Sequence, residues 1–453
     1  MAKLNKVIVS ILMLSVLSAC NFNNNQKLTR LTTPKVEKIS NQNNVLMSKK
    51  TFDSYLAFVK KFTSLMMEVN NKEDEQSLAI SIPDAYLCFA ITGAISDDAA
   101  RKDVLSYLEL NDVTELRTSV KEIISTLATL YKNSDGKLCG GYNLNSIWLN
   151  PEKVFLVKEK DEELYKDLEE IYDASLYMEA LTSKKANQYL KDNGLKDMPT
   201  PEIVLDDNDP SALNVMSVYY CLDYFPESVK KNYRSQFKSG KHKMDYYLNN
   251  STSKVDYIEQ SNDGYVFEND CFYGATMSIG YLNMAYFLPN DKTALPSTIM
   301  DDVLDENYQL KESTYVDHEG NEQQTYLHKT NISAPYFSLN NQSKLEHKDL
   351  LKILPIISRK GAGERIAYSE GEDLYLSWIK QFSVTKFNYD GFYSCSVTIS
   401  GKATSSEPID YEKFNLVLDH PYVFEVRKNV KVGEEYINLP IIIGEIVNPE
   451  YVD

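Results

Sequence analysis

The feature that most constrains this chain is a set of apolar runs: LNVMSVYYCLDYF from Leu213, MSIGYLNMAYFLPN from Met277 and LPIIIGEIV from Leu439. They are rich in β-branched and aromatic residues, which pack well on a pleated surface. Each is too short to cross a bilayer as a helix. Runs of this kind fit central strands covered on both faces. LNSIWLN, from Leu144, reads as a further strand. Helical signals come earlier. Phe52, Tyr55, Leu56, Val59, Phe62, Met66 and Val69 recur on one helical face. KEKDEELYKDLEEIY turns Leu164, Leu168, Ile171 and Tyr172 inward and its charges outward. The run LAISIPDAYLCFAITGAI is interrupted by Pro83 and Asp84. It reads as a short strand followed by a buried helix, with Asp84 as a good N-cap. Helices that gather early and strands that gather late predict an α+β fold with large mixed sheets.

The N-terminus bears on the compartment. MAKLNK is a short basic start, and VIVSILMLSVLS is an apolar core of signal-peptide length. It ends in LSAC, so the segment resembles a bacterial lipoprotein signal. That resemblance implies a signal peptide over 1–19, cleavage before Cys20, and acylation of the Cys20 thiol. Several acyl chains make a firm anchor, at about 0.8 kcal/mol per buried CH₂. Residues 20–50 are Asn-rich and without periodicity, and read as the lipidated cysteine and a flexible tether. From 51 to 453 there is no second linker and no repeat, and the even composition favours one large domain. The expected location is extracytoplasmic, anchored to the cell membrane.

The chain carries 48 basic and 65 acidic residues. Removing Lys3 and Lys6 with the leader leaves 46 against 65, a net charge of −19. This argues against a nucleic-acid partner, because phosphate contacts need basic clusters. Five cysteines besides Cys20 are widely spaced, at 88, 139, 221, 271 and 395. No pair has metal-ligand spacing, so free buried thiols are expected. None of the five histidines has another at i, i+4, which gives zinc no support. No G-x-S-x-G elbow, Walker loop, H-E-x-x-H or G-x-G-x-x-G is present, and KGAGER reads as a turn. Neither an enzyme, a cofactor nor a metal is expected. The acid pairs Asp97-Asp98 and Asp206-Asp207 read as solvated or helix-capping. Tyrosine is over-used, at 32 residues, which suits strands and interfaces.

The stretch LYLSWIKQFSVTKFNYDG, from Leu374, resembles the serpin pattern of a Leu-Tyr-x-Ser strand leading to the reactive-loop hinge. Gly391 falls on the hinge glycine. The likeness extends to APYFSLNNQSKLEHKDLLKILPI, LDHPYVFEVRKN and IIIGEIVNP, and more weakly to YLCFAITGA, LNSIWLN and MAYFLPND. It implies a serpin-like fold of three β-sheets and eight or nine helices, working as a monomer. It also implies a mechanism. An exposed loop baits a serine protease, and after cleavage the loop enters the central sheet and carries the acylated protease with it.

Insertion sets a rule of alternation along the loop. One face after Gly391 holds Phe392, Ser394, Ser396, Thr398 and Ser400, and the other Tyr393, Cys395, Val397 and Ile399. Ser394, Ser396 and Thr398 are small enough to enter. Phe392 and Tyr393 stand where the family's inhibitors usually carry Thr or Ser and then an acid. Overpacking of about 1–3 kcal/mol would slow entry there. Two further departures fall where the sheet must part: AISIPD replaces a Ser-Pro, and Ser217 replaces an Asn. Counting forward from Gly391 by the family's loop length places the scissile bond at Ser405-Ser406, and counting back from Asp419-His420-Pro421 places it at Pro408-Ile409; the Thr404 to Ser406 region is preferred, because proline before the bond is poorly cleaved and small residues suit an elastase-like or subtilisin-like protease. The rival reading is a non-inhibitory serpin-fold surface protein that binds a host partner.

Overall fold

A computed structural model describes residues 30–32, 46–70, 77–128, 130–132, 138–195, 198, 200–208, 210–224, 242–248, 251–279, 282–317, 319–388, 391–394 and 411–449. Among them are eight helices. They are α1 (Lys49–Asn70), α2 (Ile82–Ile95), α3 (Asp98–Tyr107), α4 (Val113–Leu127), α5 (Glu162–Glu170), α6 (Ser183–Asn193), α7 (Ser297–Leu304) and α8 (His347–Ile353).

In α1 the expected face is the buried one, with Phe52, Tyr55, Val59, Phe62 and Met66 inside. Phe58 joins them, its ring 5.0 Å from Phe62 and 5.3 Å from Phe89 of α2. Helix α2 begins earlier than its sequence suggests. Ser81 is the residue before it, Pro83 lies in its first turn, and Asp84 is inside the helix rather than at the cap. Proline is favoured there because its missing N–H is not needed. Asp97 caps α3 by accepting from the Ala100 N–H at 2.7 Å. The KGAGER segment is a turn, with Gly361 and Gly363 at φ +84° and +77°.

Two large sheets organise the molecule. The first has seven strands: β1 (Leu130–Lys132), β2 (Leu138–Leu149), β3 (Ala174–Tyr177), β4 (Leu213–Tyr224), β5 (Phe337–Glu346), β6 (Trp378–Asn388) and β7 (Gly391–Ser394). Their order is β5-β6-β7-β4-β2-β1, with β3 parallel to the far end of β2. The second sheet has eleven strands. Its spine runs Leu78–Ser81, Glu435–Ile446, Tyr422–Val432, Leu282–Pro289, Phe272–Ile279, Ser251–Glu268, Leu327–Pro335 and Lys413–Val417. Ser251–Glu268 pairs with Leu327–Pro335 over half of its length, from Tyr257 to Tyr265, and with Phe272–Ile279 only at its end. That one long strand joins two of the expected three sheets, one built on Leu282–Pro289, Tyr422–Val432 and Glu435–Ile446 and the other on Leu327–Pro335 and Lys413–Val417. The run MSIGYLNMAYFLPN is not one strand. It belongs to two, Phe272–Ile279 and Leu282–Pro289, which pair antiparallel.

Helix α2 fills the space between the sheets. Tyr86, Phe89, Ala90 and Ile91 are buried there with Ile441 and Ile443 of the second sheet and Tyr219 of β4. A smaller apolar cluster lies on the outer face of the seven-stranded sheet. Trp148 stacks on Tyr177 at 4.4 Å, with Tyr189 of α6 edge-on at 5.7 Å. Residues 30–32 lie along β3: the Leu31 N–H donates to Leu176 O, and Thr32 Oγ1 donates to Ala174 O.

Candidate functional site

The site is the seam between β4 and β6. The two strands are parallel, and β7 lies between them at one end, antiparallel to both. Gly391 pairs with Asn388 and Tyr224, and Ser394 pairs with Thr385 and Cys221. Only glycine fits the first position. Its φ is +150°, and an added Cβ would lie 2.3 Å from Asp223 O and 2.9 Å from Tyr224 Cα.

Phe392 is wholly buried, opposite Phe387 of β6 and Asp223 of β4. Phe337 of β5 lies beside Phe387, with ring centroids 5.7 Å apart, and extends the aromatic group to Phe424 at 5.3 Å. The bulky residue that the sequence marks as an obstacle has therefore already entered the sheet. The signal for this was available: Phe387 and Phe392 take opposing positions once the chain reverses at Gly391.

At the other end no described strand fills the seam. Among the described residues, no ladder joins Leu213–Tyr220 of β4 to Trp378–Val384 of β6. A cavity of about 930 Å³ lies there, lined by Leu213 to Val215, Trp378 to Lys380, and by Cys88, Thr92 and Ile95 of α2.

The floor of the seam is polar. Ser383 Oγ donates to Ala79 O at 3.2 Å. Gln381 Nε2 donates to Ser81 O at 2.6 Å and to Asp84 Oδ2 at 3.3 Å, while its Oε1 accepts from the Ser81 N–H at 3.1 Å. Ser217 Oγ donates to Asn145 Oδ1 at 2.8 Å. Burial pushes the Asp84 carboxyl up to about 6, against the lowering effect of hydrogen bonds from Ser81 and Gln381. Its Oδ1 atom is buried and has no partner. Burial, and then the nearby Asp84, push the Cys88 thiol up to about 12, so Cys88 is an inert thiol rather than a nucleophile. Asp84 and Gln381 are site residues that sequence reading missed. A carboxylate in the first turn of an otherwise apolar helix was the available signal.

Of the residues singled out from the sequence, Gly391, Phe392, Tyr393 and Ser394 form β7. Cys20, Cys395, Ser396, Thr398, Ser405 and Ser406 lie outside the described residues. Tyr411 is the first described residue after the loop, and Lys413–Val417 then runs parallel to Leu327–Pro335 at the edge of the second sheet. The Asp-His-Pro motif anchors this return. His420 is buried, with Nδ1 2.7 Å from Asp419 Oδ1 and Nε2 2.9 Å from Pro289 O. Of the expected buried cysteines, Cys139 and Cys221 are buried and Cys88 is half-buried, whereas Cys271 is exposed.

A central seam partly entered by a hinge strand, with a chain return at the sheet edge, is the geometry of one known fold. The chain resembles the thermophilic serpin tengpin in its native state, at TM-score 0.63 and 14% identity over 93% of this chain and 100% of that one. It is also similar to AtSerpin1 of Arabidopsis in the native stressed conformation, at TM-score 0.59 and 17% identity over 88% and 98%. A third likeness is to thyroxine-binding globulin in complex with thyroxine, at TM-score 0.59 and 12% identity over 88% and 100%. No family model and no curated protein matches the sequence. The fold is the serpin fold.

Proposed function

We propose that this chain is a serine protease inhibitor of the serpin type. The observation that carries this reading is the seam: Phe392 is already inside, and a cavity lies at the far end of the same seam. Both registers of β7 extend without a shift. Continued, they set residues 395 to 401 against Tyr220 to Asn214 on one side and Val384 to Trp378 on the other. The inward positions would then be Ser396, Thr398 and Ser400, all small, and Thr398 would sit beside Gln381 and Ser217. Each new backbone hydrogen bond contributes roughly 0.5–1.5 kcal/mol net. A dozen would drive cleavage-triggered insertion in one direction. The bait bond is Ser405-Ser406, open to an elastase-like or subtilisin-like serine protease. The protein acts as a monomer, held outside the cytoplasmic membrane by lipid on Cys20.

The anchor-free protein, mixed with elastase-, chymotrypsin- and subtilisin-like enzymes, should give a complex that survives a denaturing gel. Clean loop cleavage with full protease activity would instead favour a non-inhibitory binding protein on the same fold.

A further inference from the structure

A strap that the insertion mechanism does not use lies on the edge of the seven-stranded sheet. Residues 30–32 are bonded to β3 at several points. The Leu31 N–H donates to Leu176 O at 2.7 Å. Thr32 is 3% exposed; its Oγ1 donates to Ala174 O at 3.0 Å and accepts from the Leu176 N–H at 2.8 Å. Arg30 bridges Tyr177 antiparallel. Its Nη2 donates to Ser175 Oγ at 2.7 Å, and its guanidinium lies 5.9 Å from the Tyr177 ring centre. These contacts cover strand-edge groups that would otherwise be open to another chain.

The register gives the strap a height and a direction. β3 pairs with β2, and β2 with β4. Ala174 therefore stands level with Asn145 and Ser217, and Tyr177 level with Trp148 and Asn214. Followed back from Thr32 to Arg30, the chain heads from the level of Ser217 toward that of Asn214, the Leu213 end of the seam. The reactive loop springs from β7 at the opposite end, where Gly391 pairs with Tyr224. Asn214 and Tyr224 are about 30 Å apart along β4 at the usual rise of a strand. Nine residues, 21 to 29, separate Cys20 from Arg30. At full stretch they reach about 35 Å, and far less on average. Without the strap the free chain would run from Cys20 to Leu46, the next described residue, and could reach about 90 Å.

We propose that this strap fixes how the protein stands on a lipid surface, with the Leu213 end of the seam close to the membrane and the reactive loop pointing away from it. The proposal rests on the reading of Cys20 as a lipid anchor. The strap shortens the tether and makes it leave from the end of the sheet remote from the loop. A soluble protease then meets the loop clear of the bilayer.

The test uses the full chain reconstituted through its own anchor into phosphatidylcholine vesicles that carry an acceptor dye on their headgroups. Cys88→Ser, Cys271→Ser and Cys395→Ser leave the buried Cys139 and Cys221 as the remaining native thiols besides Cys20. A donor dye is then attached at Glu152→Cys, just past the Leu149 and Leu213 pair, or at Lys386→Cys, opposite Tyr393. Energy transfer to the lipid should be about threefold stronger from position 152 than from 386, given a separation of about 30 Å along the sheet. In the variant Arg30→Ala, Leu31→Pro, Thr32→Ala this ratio should fall toward one. Should that variant fail to fold, Arg30→Ala alone should move the ratio the same way by less. Equal transfer from the two positions in the vesicle-bound chain, or a ratio that the strap changes leave unmoved, overturns the orientation and leaves the lipid anchor in place. A full chain that does not bind the vesicles removes the lipid anchor, and the orientation with it.

Discussion

The two ends of the seam between β4 and β6 differ in what they hold and in what lies beneath. At the Tyr224 end, β7 is in place, and Phe392 joins an aromatic group with Phe387 and Phe337. Toward the Leu213 end the seam has a polar floor of Ser217, Gln381, Ser383 and Asp84, and a cavity lies at its far end between Leu213 to Val215 and Trp378 to Lys380. The first end is closed by apolar burial, which holds a strand firmly. The second bonds its side chains to the backbone of Ala79 and Ser81 and to the side chains of Asp84 and Asn145, and leaves Asp84 Oδ1 without a partner. Those bonds exchange at little net cost if a strand arrives with hydroxyls of its own. A seam fastened at one end and polar at the other favours entry from the hinge downward.

The contrast can be broken at the fastened end first. Phe392→Ala should destabilise the intact protein by about 3–5 kcal/mol, the usual loss for a buried aromatic. Chemical denaturation would read this directly. A loss under 1 kcal/mol would mean that the ring is not anchored in the core. Gly391→Val should cost somewhat less, roughly 2–3 kcal/mol, because the added Cβ meets Asp223 O and must displace the hinge strand. Limited proteolysis of the hinge should quicken in that variant.

The polar end gives a smaller, pH-dependent effect. The Asp84 carboxyl is raised from 3.8 to about 6 in the folded protein. The folded state then binds more protons than the unfolded state between those values, so stability falls as pH rises from about 4 to 6. Above that window Asp84 is ionised at a buried site. Asp84→Asn should flatten this dependence and stabilise the protein at pH 7.5 by on the order of 1–2 kcal/mol. Parallel stability–pH curves for the two proteins would show that Asp84 does not titrate in this window.

Much of this arrangement was legible in the sequence, for reasons that can be named. The strand from Trp378, the hinge glycine and the return at Asp419 to Pro421 are contiguous motifs whose residues act on their own neighbours. The floor of the seam was not legible, because Gln381 meets Asp84 and Ser81 across some 300 residues of chain. Phe392 misled for a related reason. Its size opposes entry in isolation, but Phe387 and Phe337 provide an aromatic site that only the folded register brings together. Asp84 reads as a helix cap from local pattern alone. In the fold Ser81 precedes the helix and Asp84 turns into the seam, where tertiary contacts override the capping preference.

The central claim is that the Leu213 end of the seam is the place the cleaved loop enters. Melting of the intact protein against the protein cut once in the Thr404 to Ser406 segment tests it most directly. Insertion of residues 395 to 401 should raise the melting temperature by on the order of 10–20 °C, from about a dozen new hydrogen bonds in a chain of this size. The gain should vanish in Thr398→Arg, which puts a charge against Gln381. An unchanged melting temperature after cleavage of the unaltered chain would contradict the account.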